Sequence, residues 1–166
     1  MHATAISSAK PARTSARGAF MEGCPVHLLR DKLRQARLRP TRQRVALGWL
    51  LFGKGSRHLT AEGLYEEAKA AKIPVSLATV YNSLHQFTGV GLLSEIAIEG
   101  PRTYFDTNPI PHYHFFIEET GALVDIPVGG VTLTQWPAVP DGCEVTRVDI
   151  VVRIRRLGEG EAVPVA

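Results

Sequence analysis

His112 and His114 stand two residues apart in a stretch that reads as a strand, so both imidazoles point to one face with their Cα atoms roughly 6.5 Å apart. Two neutral imidazoles at that spacing can share one transition-metal ion, although such a pair alone is more often a surface feature. A second group is Gly23-Cys24-Pro25-Val26-His27. Proline removes a backbone donor and favours an extended cysteine before it. If Pro25 is the first residue of a helix, Cys24 is its N-cap, where the helix dipole favours the thiolate. A thiolate is a good ligand for ferric haem, so Cys24 is a candidate haem ligand, with His27 as either a second axial ligand or an ordinary surface residue. Cys143 follows Pro140-Asp141-Gly142 and reads as a small apolar structural residue. No nucleophile triad, phosphate loop or pair of catalytic carboxylates stands out, which argues against an enzyme.

The formal net charge of +3 conceals a division. Residues 10–57 hold 12 of the 19 basic side chains and two of the 16 acidic ones, Glu22 and Asp31, giving +10, while the remainder is −7. Arg30, Arg34, Arg37, Arg39, Arg42 and Arg44 alternate with Leu29, Leu33, Leu38, Val45 and Leu47, a pattern of amphipathic helices rather than of a solvated tail. A basic block built on helices suits duplex DNA. Two distant cysteines, no long apolar run and no secretory signal point to a cytoplasmic protein without a membrane partner.

The elements that must position these groups follow from periodicity. Residues 1–22 lack any and read as an arm. Leu28, Leu29, Leu33 and Ala36 make the apolar stripe of a first helix ending before Pro40. Thr41 caps a second, carrying Val45, Leu47, Leu50 and Leu51; Thr60 caps a third, carrying Leu64, Tyr65 and Ala68. Ser76 opens a fourth through Ala78, Val80, Leu84 and Phe87, closed by Gly89 and Gly91. Two strands, 92–98 and 102–106, turn at Glu99-Gly100-Pro101. Helices followed by a two-stranded ribbon make a winged helix whose fourth helix can enter a major groove. Beyond Asn108-Pro109, residues 112–118 and 121–126 read as a hairpin, 128–136 as a short helix, and 145–154 as a half-buried strand. The fold class is therefore α+β, with a winged-helix unit over 23–108, a small α/β unit over 109–156 and a tail over 157–166. The second unit is too small to stand alone and reads as a homodimerisation domain.

Residues 58–93, His-Leu-Thr-Ala-Glu-Gly-Leu-Tyr through Val-Ser-Leu-Ala-Thr-Val-Tyr-Asn-Ser-Leu-His-Gln-Phe-Thr-Gly-Val-Gly-Leu-Leu, resemble the ferric uptake regulator superfamily. Gly23-Cys24-Pro25, Leu38-Arg39-Pro40-Thr41-Arg42-Gln43-Arg44, residues 47–55 and Thr103-Tyr104-Phe105-Asp106-Thr107-Asn108 look like its iron response regulator subgroup. The resemblance implies a homodimeric regulator of haem synthesis and iron uptake genes that binds AT-rich operators, with haem as effector and a haem-synthesis enzyme as haem donor. It implies that Tyr81 touches bases in the major groove and that Arg39 reaches the minor groove. Ser76 and Thr79 meet phosphate at a helix N-terminus, and Arg42, Arg44, Asn82 and Arg102 complete the DNA-facing set. Asn82 stands where many relatives carry arginine.

For metal, the resemblance adds His58 and Asp106 to His112 and His114, a four-residue site for one divalent Zn, Mn or Fe per chain. Ile117 and Thr120 replace the first cysteine pair of the superfamily's structural zinc site. Pro111 and Tyr113 fall where ligands of a second metal site would be. The subgroup has three successive histidines where this chain has His112, Tyr113 and His114, which makes His112 and His114 haem candidates beside Cys24. A regulator that senses metal alone, without haem, is the alternative.

Overall fold

The computed structural model describes residues 26–135 and 137–157. In order these form α1 (Val26–Gln35), α2 (Arg42–Phe52), β1 (His58–Thr60), α3 (Ala61–Ala70), α4 (Leu77–Gly89), β2 (Ser94–Ile96), β3 (Tyr104–Asp106), β4 (His114–Ile117), β5 (Ala122–Asp125) and β6 (Val151–Ile154). The four helices and the sheet β1-β3-β2 form the winged helix; the sheet β5-β4-β6 follows it. Among the described residues no helix is long and apolar enough to cross a membrane.

Each helix boundary has a local cause. Thr41, Thr60 and Ser76 are extended N-caps whose hydroxyls accept from the backbone amides of Arg44, Gly63 and Thr79 at 3.3, 3.2 and 3.1 Å. At the other ends of α1, α3 and α4 the chain turns through the left-handed region at Arg37, Lys72 and Gly91. The amides of the next residues, Leu38, Ile73 and Leu92, then bond back to the carbonyls of Leu33, Ala68 and Phe87 at 2.8–2.9 Å. This is the Schellman arrangement, and its apolar residue packs on the core in all three cases. The core joins Leu29 and Leu33 of α1, Leu47 and Leu51 of α2, Leu64 and Ala68 of α3, and Val80, Leu84 and Phe87 of α4 to Phe105 of β3. The helices α1 and α2 approach closely at Gly48, where a Cβ would meet a Leu29 methyl carbon at 3.1 Å.

Four features differ from the sequence expectations. No strand was expected at residues 58–60, yet β1 pairs antiparallel with β3, His58 opposite Asp106. Residues 128–135 form no helix: Val128 is fully exposed, Gly129 sits at φ +87° and no apolar face exists to bury. Of the strand expected over 145–154, only Val151–Ile154 joins a sheet, parallel to β4. Ile154, on the aliphatic face of that strand, is exposed rather than inward-facing. Cys143 is likewise exposed, not a buried small residue.

Lys72 has no glycine's freedom at φ +57°. A left-handed side-chain residue costs roughly 1–2 kcal/mol, more than the roughly 0.5–1 kcal/mol of chain entropy that glycine loses on ordering. Lys72→Gly is expected to stabilise the protein by about 0.5–1 kcal/mol, read as a raised urea midpoint; an unchanged or lower midpoint would mean the turn is unstrained.

Candidate metal centre and nucleic-acid interface

Two cross-strand pairs, one in each sheet, face each other across the segment that links the sheets. His58 lies opposite Asp106 in the first sheet and His114 opposite Asp125 in the second. His112, on the linking segment, enters between them. The five donor atoms all lie within 4.8 Å of one another. His112 Nε2 is 3.1 Å from Asp106 Oδ2 and 3.2 Å from Asp125 Oδ1, and His58 Nε2 is 2.9 Å from Asp125 Oδ1. His114 Nε2 lies 3.5 Å from Asp106 Oδ2. Bonds of 2.0–2.2 Å to one ion would separate donors by roughly 3–3.6 Å.

Hydrogen bonding does not account for this approach. The Nε2 atoms of His58, His112 and His114 and Oδ2 of Asp106 are buried and make no hydrogen bond. Such orphaned atoms are rare and costly unless something else satisfies them. Two of the four are engaged on their far sides: His112 Nδ1 donates to the Ile110 carbonyl at 2.7 Å, and Asp106 Oδ1 accepts from the Asn108 amide at 2.8 Å. The first contact leaves the His112 Nε2 lone pair facing the cluster, the arrangement common behind metal-bound histidines. Burial, reinforced by His112 and His58, holds the His114 imidazole below its usual value against the pull of Asp106. The neutral form is the one that ligates. These residues therefore fit a cation, and the donor set of three nitrogens, two oxygens and no sulfur suits Mn, Fe or Zn.

The structure brings together all four metal residues named from sequence and adds Asp125. The expected turn at residues 119–121 would place position 126 opposite 114; the turn spans 118–121 instead, and this one-residue difference brings Asp125 opposite His114. Of the haem residues, His112 and His114 lie in this cluster, Cys24 lies outside the described residues, and His27 is exposed in the first turn of α1.

On the opposite side of β3, α4 presents its polar face. Ser76 and Thr79 share a 2.9 Å hydroxyl contact at its N-terminus, and Asn82 is exposed. Tyr81 is half-buried against the core, and its hydroxyl donates to Glu62 Oε1 at 2.6 Å. Arg39, Arg42 and Arg102 are exposed. Arg44 is otherwise employed: its Nε donates to Gln86 Oε1 and its Nη1 to the Arg39 carbonyl, both at 2.8 Å. Its guanidinium thus ties α2 to α4 and holds the backbone at Arg39. Sequence reasoning missed His85, one turn beyond Tyr81, which stacks on the Tyr81 ring and meets Phe105 edge-on.

Residues 35–151 match the ferric uptake regulator family. The peroxide-responsive repressor PerR of Staphylococcus epidermidis is 38% identical over 94 residues, 56% of this chain and 61% of that protein. The chain thus spans about three fifths of the length of such curated relatives. The structure of the ferric uptake regulator from Pseudomonas aeruginosa with manganese matches with a TM-score of 0.59 at 24% identity, covering 78% of this chain and 98% of that one. The ferric uptake regulator of Vibrio cholerae matches with a TM-score of 0.59 at 20% identity, covering 76% and 98%. These identities carry the fold, an N-terminal winged helix and a smaller C-terminal unit. With its profile matched over most of the sequence, this chain belongs to the ferric uptake regulator family.

Proposed function

We propose that the chain is a dimeric, cytoplasmic, metal-responsive transcription regulator. In this reading residues 23–108 bind duplex DNA and residues 109–156 hold the two copies together. The observation that carries it is the convergence of His58, Asp106, His112, His114 and Asp125 on one point with their inward atoms unpaired. One Mn, Fe or Zn ion there would neutralise two carboxylates and tie the two sheets together. Family membership supports regulation of genes as the output. Exposed Val124, Val128, Leu133, Val139, Val145 and Ile154 supply apolar surface for a second copy.

For DNA, we assign base reading to Tyr81 and Asn82, phosphate contact to Ser76, Thr79, Arg42 and Arg102, and the minor groove to Arg39, with Arg44 bracing it. The finer reading is an iron response regulator of haem synthesis and iron uptake, with haem as a second effector. His112 and His114 suit an ion better than haem, because a cluster spanning under 5 Å leaves no room for a porphyrin plane between its members. The haem reading therefore rests on Cys24-Pro25 and on the resemblance to that subgroup.

Elemental analysis of the purified protein is expected to give one Mn, Fe or Zn per chain, lost in His112→Ala/His114→Ala. Asp125→Ala should weaken metal binding by more than about tenfold, and metal at 100 times its Kd should add about 2.7 kcal/mol of unfolding free energy. Full metal content in the double variant would show the site misassigned.

Binding to AT-rich duplex is expected to weaken steeply with salt, two chains per site by sedimentation. Tyr81→Ala should cost about 1–3 kcal/mol more on a selected duplex than on a random one. Equal losses on both would remove its base-reading role.

Titration with ferric haem is expected to give a Soret band that disappears in Cys24→Ala and persists in His112→Ala/His114→Ala. A band unchanged in all three proteins would leave regulation by metal alone.

A further inference from the structure

The pairing of Tyr81 with Glu62 joins the second residue of α3 to the second turn of α4, and nothing in the metal centre or the core requires it. The phenol donates to Glu62 Oε1 at 2.6 Å, the length of a charge-assisted bond. Both partners are restrained on other sides. The Tyr81 ring is packed on the core and stacked on His85, with centroids 6.2 Å apart and planes at 23°. Glu62 sits in the first turn of a helix capped by Thr60, where the dipole favours a carboxylate. The Tyr81 hydroxyl, the Glu62 backbone amide, Thr60 and Arg102 together hold its carboxyl below the usual range, outweighing its slight burial. The hydrogen bond to Glu62, with burial and the Glu62 charge behind it, correspondingly pushes the Tyr81 phenol up.

A phenol has one proton to donate. We infer that Glu62 determines which base Tyr81 reads, by taking that proton and leaving the phenol oxygen able only to accept. This rests on the base-reading role proposed for Tyr81. In the major groove the hydrogen-bond donors are the amino groups of adenine and cytosine; guanine O6 and N7, adenine N7, thymine O4 and every phosphate oxygen are acceptors. A Tyr81 held by Glu62 therefore selects an amino-bearing base, and the adjacent carboxylate disfavours a phosphate contact. Freed of Glu62, the same hydroxyl can donate to guanine, thymine or phosphate, so selectivity falls while total affinity need not.

The test uses full-length, metal-loaded protein and a randomised duplex library. Selection on wild type gives a preferred duplex, and Tyr81→Phe, which keeps the ring, identifies the base pair whose preference depends on the hydroxyl. At that pair, removing the amino group alone, adenine to purine or cytosine to pyrimidin-2-one, is expected to cost wild type the 5- to 150-fold that about 1–3 kcal/mol of one contact provides. Glu62→Ala should lower this preference at least about fivefold. Glu62→Gln, whose amide oxygen still accepts the proton, should retain it, and Tyr81→Phe/Glu62→Ala should discriminate no less than Tyr81→Phe alone. Unchanged metal content and unfolding midpoint in Glu62→Ala separate the effect from misfolding. Wild-type affinity unchanged by removal of that amino group, or a preference unchanged in Glu62→Ala but abolished in Tyr81→Phe, overturns the inference while leaving Tyr81 as the reader. Base preference unaffected by both Tyr81→Phe and Tyr81→Ala overturns the base-reading role itself, and the inference with it.

Discussion

Three imidazoles and two carboxylates crowd one point between the sheets, and four of their inward-facing atoms have no hydrogen bond. Two carboxylates this close repel, and a buried unpaired polar atom costs about 1–3 kcal/mol. The arrangement persists because each donor is fixed from behind by the fold. Pairing of β1 with β3 sets His58 against Asp106, pairing of β4 with β5 sets His114 against Asp125, and the Asn108–Ile110 turn fixes the linking segment that carries His112. The relative position of the two sheets is thus bound to the same point as the charge. A cation there would relieve the repulsion and lock the sheets in one step.

That point is joined by packing to α4, the helix proposed to face DNA. Asp106 neighbours Phe105, which is fully buried in the winged-helix core. Phe105 meets the His85 ring, His85 stacks on Tyr81, and Tyr81 is held by Glu62. Every step is a direct contact, so a displacement of β3 reaches α4 without passing through solvent. The wing is attached as well: Arg147, in the segment between β5 and β6, donates to the Glu95 carbonyl of β2 at 3.3 Å.

The helices were legible because their signals are local. Threonine and serine caps, apolar spacing and Gly91 act within a few residues of one another, and tertiary packing agrees with them. β1 was not legible because three residues before a helix carry no period; its pairing with β3 is decided 46 positions away. The failure over 128–135 is also local, since alternating hydrophobicity there serves no buried face within one chain. Asp125 was missed by one register step, since only a turn over 118–121 rather than 119–121 puts it opposite His114, whereas Glu62 and Arg44 were not readable at all. Each depends on how α3 or α2 lies against α4, and a sequence pattern does not specify that angle. Arginine beside the proposed DNA-binding segment looks the same in sequence whether it faces phosphate or, like Arg44, braces a neighbouring carbonyl.

The donors differ in how firmly they are held, and this bears on which ion the centre would accept. Asp106 is 1% exposed and His58, His112 and His114 are 8–15% exposed, whereas Asp125 is 44% exposed and comes from β5. Without Asp125 the remaining set is three nitrogens and one oxygen, a four-coordinate arrangement that suits Zn. With it the set gains a second carboxylate and a fifth position, which moves it toward Mn or Fe(II), ions that favour more oxygen and higher coordination. The position of β5 therefore acts as part of the coordination chemistry. Because β5 is built into the sheet that carries the exposed apolar surface, association of two chains through that surface and the choice of ion in the centre would not be independent.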